Sequence, residues 1–171
     1  MKELKIILWV TAITLAMTAG CQSNPDTEPK NITGGEIFTG ELKGSEFSIG
    51  TGNEMRIILD NVEHWNRLDA EALKTNRADI VTIQRPDGTI MKSTIEGTAR
   101  YFSTLDSLTW IVDSAIPLQV SDTNIVKVLL DTRGIYYMKN GSVRRNRLFE
   151  EFTFENEILV SIRQWTAGWP D

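Results

Sequence analysis

The stretch from Arg144 to Trp165, RRNRLFEEFTFENEILVSIRQW, constrains this chain more than any other. It reads as two strands joined by a turn at Glu155-Asn156-Glu157. Successive side chains of a strand point to opposite faces, so Leu148, Phe152 and Phe154 share one face while Arg145, Arg147, Glu151 and Thr153 take the other. Glu150 interrupts the apolar face, a carboxylate between Leu148 and Phe152. On the second strand Ile158, Val160 and Ile162 line one face, and Gln164 follows them on it. An inward Glu beside an inward Gln implies a concave sheet around a cavity that is not wholly apolar. Such a sheet needs other elements to close it.

Those elements precede it. Thr51 and Glu54 have the spacing of a capping box. The helix expected after them, about 53–68, places Met55, Ile58, Val62 and Trp65 on one stripe, with Asn61 inside it and His64 at its edge. A second short helix is expected over about 70–76. Ile80 to Gln84 and Thr89 to Lys92 read as strands joined by the Pro86-Asp87-Gly88 turn. Thr94 to Leu105 reads as helix, with Ile95, Ala99, Tyr101 and Phe102 packing inward. From Trp110 the chain is all strand. Trp110, Val112, Ile116 and Leu118 alternate with Thr109, Asp113 and Gln119. Gly134, within 124–138, is expected to mark a bulge that changes which side faces in. Lys139-Asn140-Gly141 closes a hairpin. Helices first and antiparallel strands after imply an α+β domain, a curved antiparallel sheet wrapped around two to three N-terminal helices.

Ahead of the domain, a positive start at Met1-Lys2, an apolar run from Ile6 to Ala16 and small residues to Gly20 have the form of a secretion signal, too short for a comfortable membrane span. Cys21 is the only cysteine, which excludes an internal disulfide. A lone cysteine after Thr18-Ala19-Gly20 resembles a bacterial lipobox, whose cysteine is lipidated and becomes the first residue of the mature chain. Thr18 stands where that motif usually has an aliphatic residue, and a cleaved signal followed by an incidental cysteine is the alternative reading. The expected plan is signal peptide over 1–20, lipidated cysteine and tether over 21–50, and folded domain over 51–171. Residues 31–52 are expected to hold one or two short strand-like pieces. The lipobox resemblance implies a chain lipid-anchored in the bacterial cell envelope, at the outer membrane, with the bilayer as partner through Cys21. Buried acyl methylenes contribute about 0.8 kcal/mol each. A formal net charge of -5 argues against nucleic acid as a partner.

The segments HWNRLDAEAL, RADIVTIQRPDG, STIEGTARYF and LFEEFTFENEILVSIRQW, in that order and spacing, resemble the nuclear transport factor 2-like family, which includes ketosteroid isomerase and scytalone dehydratase. The resemblance covers about 51–165. It implies a cone-shaped α+β barrel of bent strands closed by helices, with a pocket in the wide end. Carried over by position, His64 falls near the hydrogen-bonding tyrosine of ketosteroid isomerase and Glu150 on its protonated aspartate. Gln84 or Arg85 falls where its catalytic carboxylate stands. Neither can take a proton near neutral pH, so the same isomerase mechanism is not expected.

The pocket candidates are Glu150, Gln164, Asn61, His64, Trp65, Trp110 and Phe152. Desolvation should raise the pKa of Glu150, unless Arg147 or Arg163 reaches around the sheet and pairs with it. Asn61 and Gln164 need partners on their apolar faces. A lone histidine at a helix edge also fits a packed or solvated side chain. One histidine and one cysteine cannot build a zinc site, and neither a phosphate loop nor a nucleophile elbow is present, so no metal, cofactor or catalytic residue is assigned. Two functions fit. One is a membrane-anchored lipoprotein whose non-catalytic pocket binds a small apolar or amphipathic molecule or a protein partner. The other is a cofactor-free lyase, isomerase or hydrolase using the same pocket. Ile111, Leu129, Leu159 and Trp165 fall on the opposite sheet face, which predicts a homodimer through it unless residues 31–52 cover that face.

Overall fold

A computed structural model describes residues 34–38 and 40–167. The signal segment and Cys21 lie outside the described residues. Eight strands form one curved sheet: β1 (Gly35–Glu36), β2 (Glu46–Ile49), β3 (Arg77–Gln84), β4 (Ile90–Ser93), β5 (Leu105–Val120), β6 (Ile125–Met138), β7 (Val143–Glu155) and β8 (Ile158–Ala167). Their order is β1-β2-β5-β6-β7-β8-β3-β4, so β1 and β4 are open edges. All neighbours are antiparallel except β3 and β8, which run parallel. Helix α1 (Asn53–Asn66) packs on β5, a 3-10 turn (Ala72–Lys74) follows it, and α2 (Ile95–Phe102) precedes β5. The architecture is the expected α+β sheet curved around its helices. Within the span expected as tether, β1 and β2 form, and β2 joins the sheet by pairing with β5.

The long central strands explain the core. On β6 the even positions Val126, Val128, Leu130 and Thr132 are all buried, and Phe152 and Phe154 of β7 meet them. Ile58 of α1, Val81 and Leu159 complete that cluster. A second cluster, Ala70, Leu73, Phe102, Leu105 and Leu108, fills the helical end. The β7–β8 turn holds Asn156 at φ 51° and Glu157 at φ 63°, the left-handed pair that a two-residue hairpin demands.

Five local expectations are corrected. Gly134 is not a bulge: it pairs in unbroken register with Trp110 on one side and Asn146 on the other. It is glycine because the Tyr136 ring lies over it, and a Cβ there would stand 2.7 Å from that ring and 2.6 Å from Asn146 Oδ1. The irregularity falls instead on β5 between Val112 and Ser114, which turns Ile116 outward and Ala115 and Pro117 inward. A second irregularity, opposite Thr153 and Phe154, leaves Val160 without a partner on β7. It places Leu159 in the core at 4% exposure while Ile158 stands out at 39%. The capping box does not form, because Gly52 enters α1 at φ 90° and no side chain caps the helix. The second helix shortens to its single 3-10 turn, started by Asp69 Oδ1 accepting from the Ala72 N–H at 3.1 Å.

Candidate functional site

Between α1 and the inner face of the sheet lies a cavity of about 550 Å³. The inner face of β7 contributes Arg144, Asn146, Leu148, Glu150 and Phe152, with the Glu150 carboxyl set between two apolar side chains. Asn61 and Trp65 reach it from α1 and Trp110 from β5. Trp65 is edge-on to Trp110 at 5.7 Å and to Phe102 at 4.8 Å. Asn66, at the last turn of α1, fixes that arrangement. Its Nδ2 donates to the Trp110 carbonyl at 3.0 Å, and its Oδ1 accepts from the Trp110 N–H at 2.6 Å, so the amide acts as a short strand against β5.

Glu150 is 2% exposed and has no cation beside it. Arg147 pairs with Asp131, and Arg163 donates to Gln84 Oε1 at 2.8 Å, so neither arginine of the ion-pair alternative reaches it. Its partners are uncharged: Gln164 Nε2 donates to Oε1 at 2.8 Å, and Thr132 Oγ1 lies 2.9 Å from Oε2. Burial raises its pKa, and these two hydrogen bonds oppose the rise. Thr132 can serve either protonation state of this carboxyl. Thr132 Oγ1 has one hydrogen and faces two acceptors, Glu150 Oε2 and the Leu148 carbonyl at 3.3 Å. A protonated Oε2 can donate to Thr132 while Thr132 donates to Leu148, and an ionised Oε2 can instead accept from Thr132. Gln164 itself lines the cavity.

The opposite end of the lining is basic and aromatic. Arg144 Nη2 donates to the Tyr101 hydroxyl at 2.7 Å, and its guanidinium stacks 4.7 Å from the Tyr136 ring centre. Burial raises the pKa of both tyrosines, while the Arg144 charge opposes it. Arg77 also lines the cavity, donating to Ser93 through Nη2 at 2.8 Å and 2.9 Å.

The structure thus brings Glu150, Gln164, Asn61, Trp65, Trp110 and Phe152 to one cavity. His64 is not among its walls; its Nδ1 is buried without a partner on α1. Thr132, Tyr136, Arg144 and Asn146 were missed. Strand parity held the signal for the last two, since both are even-numbered like Glu150 on β7. Arg85 stands at the cavity and Gln84 turns to Arg163. Among the described residues no three His, Cys, Asp or Glu side chains gather into a metal site.

No protein-family model matches the chain. Solved structures do. An uncharacterized protein with a cystatin-like fold from Caulobacter vibrioides aligns over 70% of this chain and 90% of its own, with a TM-score of 0.58 and 10% identity. A member of the nuclear transport factor 2-like family from Streptomyces avermitilis aligns over 67% and 94%, with a TM-score of 0.55 and 10% identity. The fold is nuclear transport factor 2-like. The CaMKII hub of S. rosetta shares it, over 69% of this chain and 98% of its own, with a TM-score of 0.53 and 14% identity. The cavity in this nuclear transport factor 2-like fold combines one buried carboxyl, Glu150, with three lining arginines, Arg77, Arg85 and Arg144.

Proposed function

We propose that the domain is a non-catalytic small-molecule-binding module, displayed on the bacterial cell envelope through lipid on Cys21. The observation that carries the binding role is Glu150, held by Gln164 and Thr132 without a counter-charge at a cavity of about 550 Å³. A buried carboxyl with only neutral partners suits a ligand carbonyl or hydroxyl near the Gln164 amide better than it suits proton abstraction. Glu150 is the one carboxyl among the lining residues, and the family resemblance puts Gln84 or Arg85, neither able to act as a base, where a catalytic carboxylate would stand. The Streptomyces avermitilis relative carries a provisional assignment as a dehydratase. A lyase of that kind would have Glu150 as its one lining carboxyl. Support for the anchor lies in the sequence, the apolar run that ends at Cys21.

Native mass spectrometry of the gently purified chain tests the binding role. A small molecule should accompany the wild type and be absent from Glu150→Leu, which leaves the Gln164 amide without its partner. A wild-type chain that carries nothing, and gains no thermal stability from any of a panel of polar-headed apolar compounds, would sink the reading. Turnover of such a compound, lost in Glu150→Gln, would replace it with the catalytic one.

A further inference from the structure

Among the described residues no salt bridge engages the cavity cations Arg77, Arg85, Lys92 and Arg144, although Asp87 lies near enough to Arg85 to feel its charge. The only carboxyl in the lining, Glu150, lies six residues from Arg144 on β7, roughly 20 Å along an extended strand. A chain of net charge -5 therefore gathers positive charge outside any salt bridge at one concave place. The groups there converge. Arg144 donates to the Tyr101 hydroxyl, which keeps its own hydrogen to give, and Arg85 is near enough to Tyr101 to oppose the rise in its pKa. Stacking over Tyr136 holds the Arg144 guanidinium in place and leaves its remaining N–H groups to bind. Beyond them the wall becomes apolar at Trp65, Trp110 and Leu148.

We propose that Arg144, Arg85 and the Tyr101 hydroxyl form an anion subsite, and that the ligand is an amphipathic carboxylate. Its head sits on this subsite and its apolar body runs along Trp65, Trp110 and Leu148 toward Glu150. The proposal rests on the pocket-binding reading above and adds the chemical class of the ligand.

Titration calorimetry on the detergent-free Cys21→Ser chain decides it, with octanoate, 1-octanol and acetate as probes. Octanoate should bind about tenfold more tightly than 1-octanol at low salt, lose that advantage at high salt, and resist competition by acetate. Arg85→Gln with Arg144→Gln should weaken octanoate about tenfold and leave 1-octanol unchanged. Both arginines are exposed, so the variants should fold, and Arg145→Gln on the outer face of β7 should change neither probe. Equal binding of octanoate and 1-octanol, or indifference of octanoate to the double replacement, overturns the subsite and leaves pocket binding standing. Acetate that competes fully overturns the amphipathic ligand. Failure of both eight-carbon probes at millimolar concentration also overturns the proposal, while the molecule accompanying the purified chain still judges the broader reading.

Discussion

Glu150 has two hydrogen-bonding partners and no counter-charge, and that combination fixes the sign of its effect on stability. Its folded pKa is raised, so the folded state holds a proton that the unfolded state releases above about pH 4.3. Its favourable contribution is therefore complete below that pH and is lost as pH rises through the folded value. Asp113 and Asp131 oppose this trend. Their hydrogen bonds to Arg133 and Arg147 lower their pKa values, so their contribution is present above the unfolded value and lost on acidification. Both are exposed enough for solvent to keep that contribution small. Glu150→Gln keeps the shape and the Gln164 bond and removes the titration. Its melting temperature should exceed wild type by a few degrees at pH 8, with the gap closing toward pH 4. A gap independent of pH would mean that Glu150 ionises as freely folded as unfolded. Cys21 supports a second prediction at this scale. Cys21→Ser, expressed in a bacterial host, should move the protein from the membrane to the soluble fraction. Unchanged detergent partitioning would remove the anchor from the proposed function.

Among the elements, β6 shows what glycine does in a strand whose register is intact. Gly134 has ordinary extended backbone, so space alone excludes a side chain there. Gly134→Ala must displace the Tyr136 ring and with it the Arg144 stack, at a cost of about 1–3 kcal/mol. In a Tyr136→Ala background the same change should cost less by denaturant unfolding, because only the Asn146 contact then remains. An equal cost in both backgrounds would place the strain elsewhere. The sequence showed Glu150, Gln164, Asn61 and the two tryptophans on inward faces, because period-two and helical spacing survive where elements are regular. It did not show where the period breaks. Asp113 and Val160 are ordinary strand residues, and their irregularities arise from pairing with strands distant in sequence. Each break reverses parity, which is why Ile116 came out exposed and Leu159 buried. Gly134 looked like the bulge because a missing side chain and a ring lying over it leave the same letter in the sequence.

At the scale of the molecule, the outer face of the sheet carries Ile111, Ile116, Phe149 and Trp165 in exposed positions, with Phe149 and Trp165 in contact at 5.9 Å. Leu159 no longer belongs to that face, and the ion pairs Lys127–Glu151, Arg133–Asp113 and Arg147–Asp131 do. We propose that two copies pair there, and the apolar patch between satisfied charges supports that. The Cys21→Ser chain should sediment as a dimer at tens of micromolar, and Phe149→Ser with Trp165→Ser should shift it to monomer. Wild-type sedimentation as a monomer would end the proposal. The parallel seam between β3 and β8 has a kinetic meaning. It joins residues as far apart as Gln84 and Arg163, 79 positions along the chain. Before β8 docks, the β3–β4 hairpin has no neighbour in the sheet, and Glu150 lacks the Gln164 amide. Contacts so remote in sequence slow folding toward milliseconds or seconds. A chain interrupted within the β7–β8 turn keeps most of its helices and strands, Glu150 among them, and loses the Gln164 amide and the cavity wall that β8 supplies.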